Sequence, residues 1–205
     1  MSIRRYQPAD YDAVSRVCLL TAAAGGDATG MYADDELMPD IWARPYLALE
    51  SDWAWVVEDG GVVSGYLLAA PDTRAFVDEY RAQWLPRFEG RYPRIVSPVT
   101  AEEQARAAGF RPERMLVPEV DEYPAHLHID LLPRVQGRGV GRQLVGTLET
   151  ALRAAGVPGV HLGVDPANSG ALVFYRRLGF SELPSSRPSE PLLGKTLHPS
   201  KGPRA

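Results

Sequence analysis

The stretch Gln136-Gly137-Arg138-Gly139-Val140-Gly141 constrains this chain more than any other. It directly follows an alternating run, His126 to Leu132. It opens a segment, Gly141 to Ala155, in which Leu144, Val145, Leu148 and Leu152 recur at the spacing of a helix with one buried face. Three glycines at alternating positions between a strand and a helix let the backbone turn tightly and come close to a ligand. Successive N–H groups then aim at that ligand, and the helix N-terminus adds a field that favours an anion. The segment is suited to a phosphate or pyrophosphate. A P-loop would need Lys and Ser or Thr after its last glycine, where Arg142 and Gln143 stand. A dinucleotide fingerprint needs a third glycine where Arg142 or Leu144 stands. What remains is Q-x-x-G-x-G, with a glycine-rich turn that binds nothing as its bland alternative.

The rest of the chain supplies a sheet and helices around this segment. Ile3 to Tyr6 reads as a strand, and Asp10 to Ala24 as a helix stopped by Gly25-Gly26. Trp53 to Glu58 and Val62 to Ala69 read as a hairpin across Asp59-Gly60-Gly61. Asp72 to Trp84 has helical spacing, with Pro86 expected to end it. Thr100 and Glu103 form a capping box for a short helix to Ala108. Val160 to Val164 is a strand, Gly170 to Leu178 a short helix, and Leu192 to Leu197 holds a last strand. The order predicts an α/β (α+β) fold, a mixed sheet flanked by helices. One domain over residues 1–197 is expected, with an inserted helical region at about 70–124 and a polar, mobile tail at 198–205.

Composition narrows the function classes. The 205 residues are 45% apolar and 23% charged, with a net charge of −4, which gives no basic footprint for nucleic acid. No run approaches the eighteen or so apolar residues of a membrane span, and the N-terminus lacks an apolar leader core. Cys18 is the single cysteine, so an intramolecular disulfide is excluded. Its spacing from Val14 and Val17 places it in the core. These features predict a cytoplasmic protein.

Downstream of the glycine segment stand Asn168, Ala171, Phe174-Tyr175 and Leu178-Gly179-Phe180. Together with Gln136, Gly139 and Gly141, in the same order and separation, they resemble the two signatures of GNAT N-acetyltransferases. The resemblance implies a mixed, mostly antiparallel central sheet and acetyl-CoA as cosubstrate. It implies that Gln136, Gly137, Arg138, Gly139, Val140, Gly141 and Arg142 surround the pyrophosphate. Leu131 and Leu132 would offer backbone groups to the pantetheine, which Asn168, Ala171 and Phe174 would also contact. Tyr175 would approach the thioester sulfur. A narrower resemblance rests on His126-Leu-His-Ile-Asp-Leu-Leu-Pro133 and Pro45-Tyr-Leu-Ala-Leu-Glu50. These are similar to bacterial GNAT proteins akin to the acetyltransferase-like C-terminal domain of O-GlcNAcase. That branch brings a second reading, an inactive acyl-CoA-binding domain.

Attack by an amine on a thioester requires the neutral amine, and a lysine-type amine has a pKa of about 10.4, so a base is needed. Alternation puts His126, His128 and Asp130 on one strand face and Leu127, Ile129 and Leu131 on the other. Asp130 is therefore ranked first as base. Asp165 in Val164-Asp165-Pro166 is its competitor, with turn capping as its alternative role. Tyr175 is the expected proton donor to the leaving sulfur. No metal site is expected from the histidines, and Arg134, Arg138 and Arg142 are available to phosphates. The acceptor is a primary amine on a small molecule or a peptide lysine. The acids Asp34, Asp35, Glu36 and Asp40 read as a solvated loop that could draw a cation. Exposed sheet edges admit a homodimer.

Overall fold

A computed structural model describes residues 1–197. The expected tail, 198–205, lies outside the described residues. Seven strands form one sheet in the order β1-β2-β3-β4-β5-β7-β6. They are β1 (Ser2–Arg5), β2 (Ala54–Asp59), β3 (Val62–Ala70), β4 (Ala125–Leu131), β5 (Gly159–Gly163), β6 (Ser181–Glu182) and β7 (Leu192–Thr196). Every neighbouring pair is antiparallel except β4 and β5. The mixed, mostly antiparallel sheet expected from the sequence is thus present. The two-residue β6 has too little alternation to be read from sequence.

Period-two alternation divides the core into two layers. Val56, Tyr66 and Leu68 face a cluster with α1 (Tyr11–Leu19), α2 (Leu37–Trp42), α3 (Arg44–Leu49) and α4 (Thr73–Glu79). Trp55, Val57, Leu67 and Leu127 face the opposite layer with α7 (Val140–Ala154) and α8 (Ser169–Arg177). Leu144, Val145, Leu148 and Leu152 of α7 are all buried there, as their spacing requires.

Two helix ends differ from the sequence reading. The first helix stops at Leu19, five residues before Ala24. The Thr21 hydroxyl donates to the carbonyls of Val17 and Cys18, at 2.8 and 3.2 Å, and so takes over acceptors of the last turn. Ala24 then adopts φ 51°. Pro86 does not end its helix. After α4 the chain widens into a π turn over Tyr80–Trp84, with the Leu85 N–H bonded to the Tyr80 carbonyl five residues back, and continues as α5 (Leu85–Arg91). The wider turn gives the proline ring room that a regular α-helix denies it. The remaining helix of this region, α6 (Ala101–Gly109), carries the expected capping box between Thr100 and Glu103.

Candidate active site

The parallel strands β4 and β5 pair only at Ala125 with Val160 and His126 with His161. Beyond that seam they part. A cavity of about 480 Å³ opens between them, lined by His128, Ile129 and Asp130 of β4, Leu162 and Gly163 of β5, and Asn168, Ala171 and Tyr175 of the following turn and helix. The unwound segment after α1 contributes Thr21, Ala24 and Gly25 to the same wall. An amide running along this cleft would meet strand edges on both sides.

Backbone hydrogen-bond directions decide which groups are free there. The Leu132 N–H donates to the Ser64 carbonyl at 2.9 Å, and the Leu132 carbonyl accepts from the Val135 N–H at 3.0 Å. Both Leu132 groups are consumed, contrary to the expectation that they serve a ligand. Alternation in an antiparallel ladder then turns the backbone of Ile129 and Leu131 away from β3, toward the cleft. The N–H of Leu131 is unspent there, while its carbonyl is taken by the Gln136 side chain; Ile129 has no such partner among the described residues.

At the end of β4 the Gln136 side chain donates to the Leu131 carbonyl at 2.7 Å and closes the glycine turn. Gly137 and Gly139 have φ 71° and 80°, and a Cβ on either would meet nothing within 4 Å. Their conformation, not crowding, demands glycine, and the open space leaves the turn accessible. Gly141 differs: a Cβ there would sit 3.0 Å from the Phe174 ring, so α7 and α8 approach through it. Gly139 is the N-cap of α7, and Val140 is buried beneath the turn. Arg138 lies 3.7 Å from Asp59, and Arg134 is held on the Ser64 hydroxyl at 2.7 Å. Arg142 is exposed with no ion pair among the described residues. The turn, the helix N-terminus and Arg142 fit a pyrophosphate.

Tyr175 is buried, its ring edge-on to Phe174 and Phe180. Its hydroxyl has no hydrogen bond among the described residues and faces the cleft. Burial, reinforced by the negative charge of Asp130, holds its phenol well above the usual value. The hydroxyl therefore stays protonated and neutral. Asp130 accepts a short hydrogen bond from Tyr66, its register partner on β3. His128 Nε2 lies 3.1 Å from the same carboxylate, off the line of a hydrogen bond. Burial pushes the Cys18 thiol up and leaves it a neutral wall of the cleft, as its core placement predicted. Asp165 instead accepts the Ala167 N–H at 2.8 Å, the turn-capping role foreseen as its alternative. Asn168 caps α8 through Ala171 N–H at 3.0 Å.

The other histidine of β4 is accounted for by proton counting. Thr73 Oγ1 lies 2.7 Å from the Pro124 carbonyl and 2.8 Å from His126 Nδ1. Its one proton goes to the carbonyl, so His126 Nδ1 must donate, and Nε2 carries no proton. Burial keeps that ring neutral.

Residues 27–180 match the Acetyltransferase (GNAT) family model, three quarters of the chain. The chain belongs to the GNAT acetyltransferase family. The crystal structure of SsHAT is similar at 46% identity with a TM-score of 0.90, covering 97% of this chain and 98% of that one. Protein O-GlcNAcase of Rattus norvegicus and that of Mus musculus are each 25% identical over 187 residues. Those residues are 89% of this chain and 20% of each relative, in line with the narrower resemblance. The PaiA N-acetyltransferase of Thermoplasma acidophilum, solved in complex with coenzyme A, shares the fold at 13% identity and a TM-score of 0.59, over 95% and 98% of the two chains. In this GNAT chain Trp42 lines the cleft, and Tyr66 lies fully buried behind Asp130. Strand register brings Tyr66 to Asp130, and helix placement brings Trp42 to His128.

Proposed function

We propose that this protein transfers an acetyl group from acetyl-CoA to a primary amine by direct attack in a ternary complex. The convergence of a neutral tyrosine hydroxyl and a carboxylate in one cleft below the glycine turn carries the reading. The turn from Gln136 to Gly141, with Arg138 and Arg142, holds the pyrophosphate. The edges of Ile129 and Leu131 pair with the pantetheine amides, and Ala171 and Phe174 line its path. The amine nitrogen bonds the acetyl carbon as the carbon–sulfur bond breaks. Asp130 accepts the nitrogen's proton, directly or through a water, and Tyr175 donates its own to the departing sulfur. The Asp165 carboxylate, committed to its turn, serves the shape of the loop.

Isothermal titration with acetyl-CoA tests the cofactor half. Gly139→Val forces a side chain into φ 80° and abolishes binding, while wild type saturates. Tyr175→Phe tests the chemistry: turnover falls by about 10²- to 10⁴-fold with the titration unchanged. A wild type that binds acetyl-CoA but releases no thiol with any amine would identify a binding domain instead.

A further inference from the structure

The cleft contains a guanidinium with no counter-charge among the described residues. Arg114 is the only lysine or arginine among the described residues lining the cavity. Its Nε donates to the Ala108 carbonyl at 3.1 Å, and its guanidinium lies 4.2 Å over the Trp42 ring. No carboxylate among the described residues pairs with it. Its titratable and charged neighbours are the hydroxyls of Tyr46 and Tyr80, the neutral His126 and the like-charged Arg111. The three acids of the cavity wall are occupied or remote: Asp130 takes Tyr66, Asp165 takes Ala167, and Glu190 sits on the exposed turn with Arg187.

The acidic segment that could have drawn a cation is also spent. Asp34 pairs with Arg91, Asp40 with Arg44 and Arg91, and Glu36 with Arg44, while Asp35 accepts the Gly30 N–H. An arginine partly buried without an acid is costly unless something anionic completes it. Trp42 also stacks on His128, with ring centroids 6.1 Å apart, so one indole touches both the guanidinium and the neighbour of Asp130.

From this arrangement we infer that the acceptor is an amine that also carries an anionic group, a carboxylate or a phosphate. Arg114 holds the anion through its free Nη groups, with the amine directed toward Asp130. This deepens the acetyltransferase reading and rests on it.

The test uses pairs that share an amine and differ in the anion: lysine against cadaverine, and phosphoethanolamine against ethanolamine. Wild type should acetylate at least one anionic member with a kcat/KM about tenfold or more above its partner, and which pair shows it separates carboxylate from phosphate. The gap should close in Arg114→Gln and persist in part in Arg114→Lys, each checked for folding by its CoA titration. Where wild type acetylates any of these amines, a gap that is missing, or that survives in Arg114→Gln, overturns the inference. Titration with malonate and inorganic phosphate under saturating CoA reads the site without turnover. Saturation lost in Arg114→Gln supports it even if no amine is acetylated, and the absence of saturation by either anion overturns it. Failure of acetyl-CoA itself to bind is seen separately and counts against the acetyltransferase reading alone.

Discussion

The hydroxyl of Tyr66 donates its hydrogen bond to the carboxylate of Asp130, its register partner on the adjoining antiparallel strand. The tyrosine is fully buried, so the carboxylate is fixed from behind while its open side faces the cleft. Asp130→Asn should lower kcat by about 100-fold or more. Tyr66→Phe, which removes the support and keeps the ring, should cost about tenfold, the lower end of the roughly 1.5–3 kcal/mol that one hydrogen bond to a charged group contributes. Steady-state kinetics beside acetyl-CoA titrations would measure both. Equal losses, or a loss of cofactor binding, would contradict the division of labour.

Gly146 sits in the middle of α7, exposed, and a Cβ there would meet nothing within 4 Å. Gly146→Ala should stabilise the protein by about 0.5–1 kcal/mol, the usual cost of glycine inside a helix. Denaturant unfolding would report it, with turnover unchanged.

Asp40 of α2 ties the segment from Trp84 to Tyr92 to the body of the protein. Its carboxylate receives Arg44 at 2.8 Å, Arg91 at 3.1 Å and the Tyr92 hydroxyl at 3.1 Å, and its carbonyl accepts the Trp84 indole at 3.0 Å. Arg44 is buried. Asp40→Ala leaves Arg44 with the Ser15 hydroxyl and, as counter-charge, the more exposed Glu36, and should destabilise by about 3 kcal/mol. A loss under 1 kcal/mol in equilibrium unfolding would show that the network is incidental.

Glu50 follows α3 with Glu79, Asp52 and Asp72 nearby. Burial first, and these like charges second, push its carboxyl from 4.5 to about 7. A raised folded-state pKa means the folded chain binds the extra proton. The contribution is complete below 4.5 and lost as pH rises toward about 7. Glu50→Gln should therefore melt at a higher temperature than wild type above that window, with the gap narrowing toward acid. Parallel thermal melts at the two ends check the sign.

The glycine turn, its strand and α7 were legible because each carries a local pattern: alternation, permissive glycines and a 3.6-residue repeat. The division of β4 into a histidine–aspartate face and an aliphatic face followed from the same period. Proton counting at His126 and the engagement of Leu132 were not legible, since both depend on partners, Thr73 and Ser64, far away in sequence. Arg114 was hidden for a similar reason. A short turn of Pro112–Met115 delivers it, and nothing around it in sequence states that its surroundings lack an acid. The acids at 34–40 were legible as charges, but their arginine partners at 44 and 91 were not.

The π turn at Tyr80–Trp84 makes length more critical than identity along that helix. Tyr80, Trp84, Phe88 and Tyr92 follow one another at intervals of four, and all are buried on one side. An ordinary α-helix drifts by about 40° with every such step, and a wider turn absorbs part of the drift. Deleting one residue from this stretch would rotate Phe88 and Tyr92 by about 100° while leaving every amino acid in place. Because Tyr92 and Trp84 both clasp Asp40, two residues before Trp42, the phase of a remote helix fixes where the indole stands in the cleft.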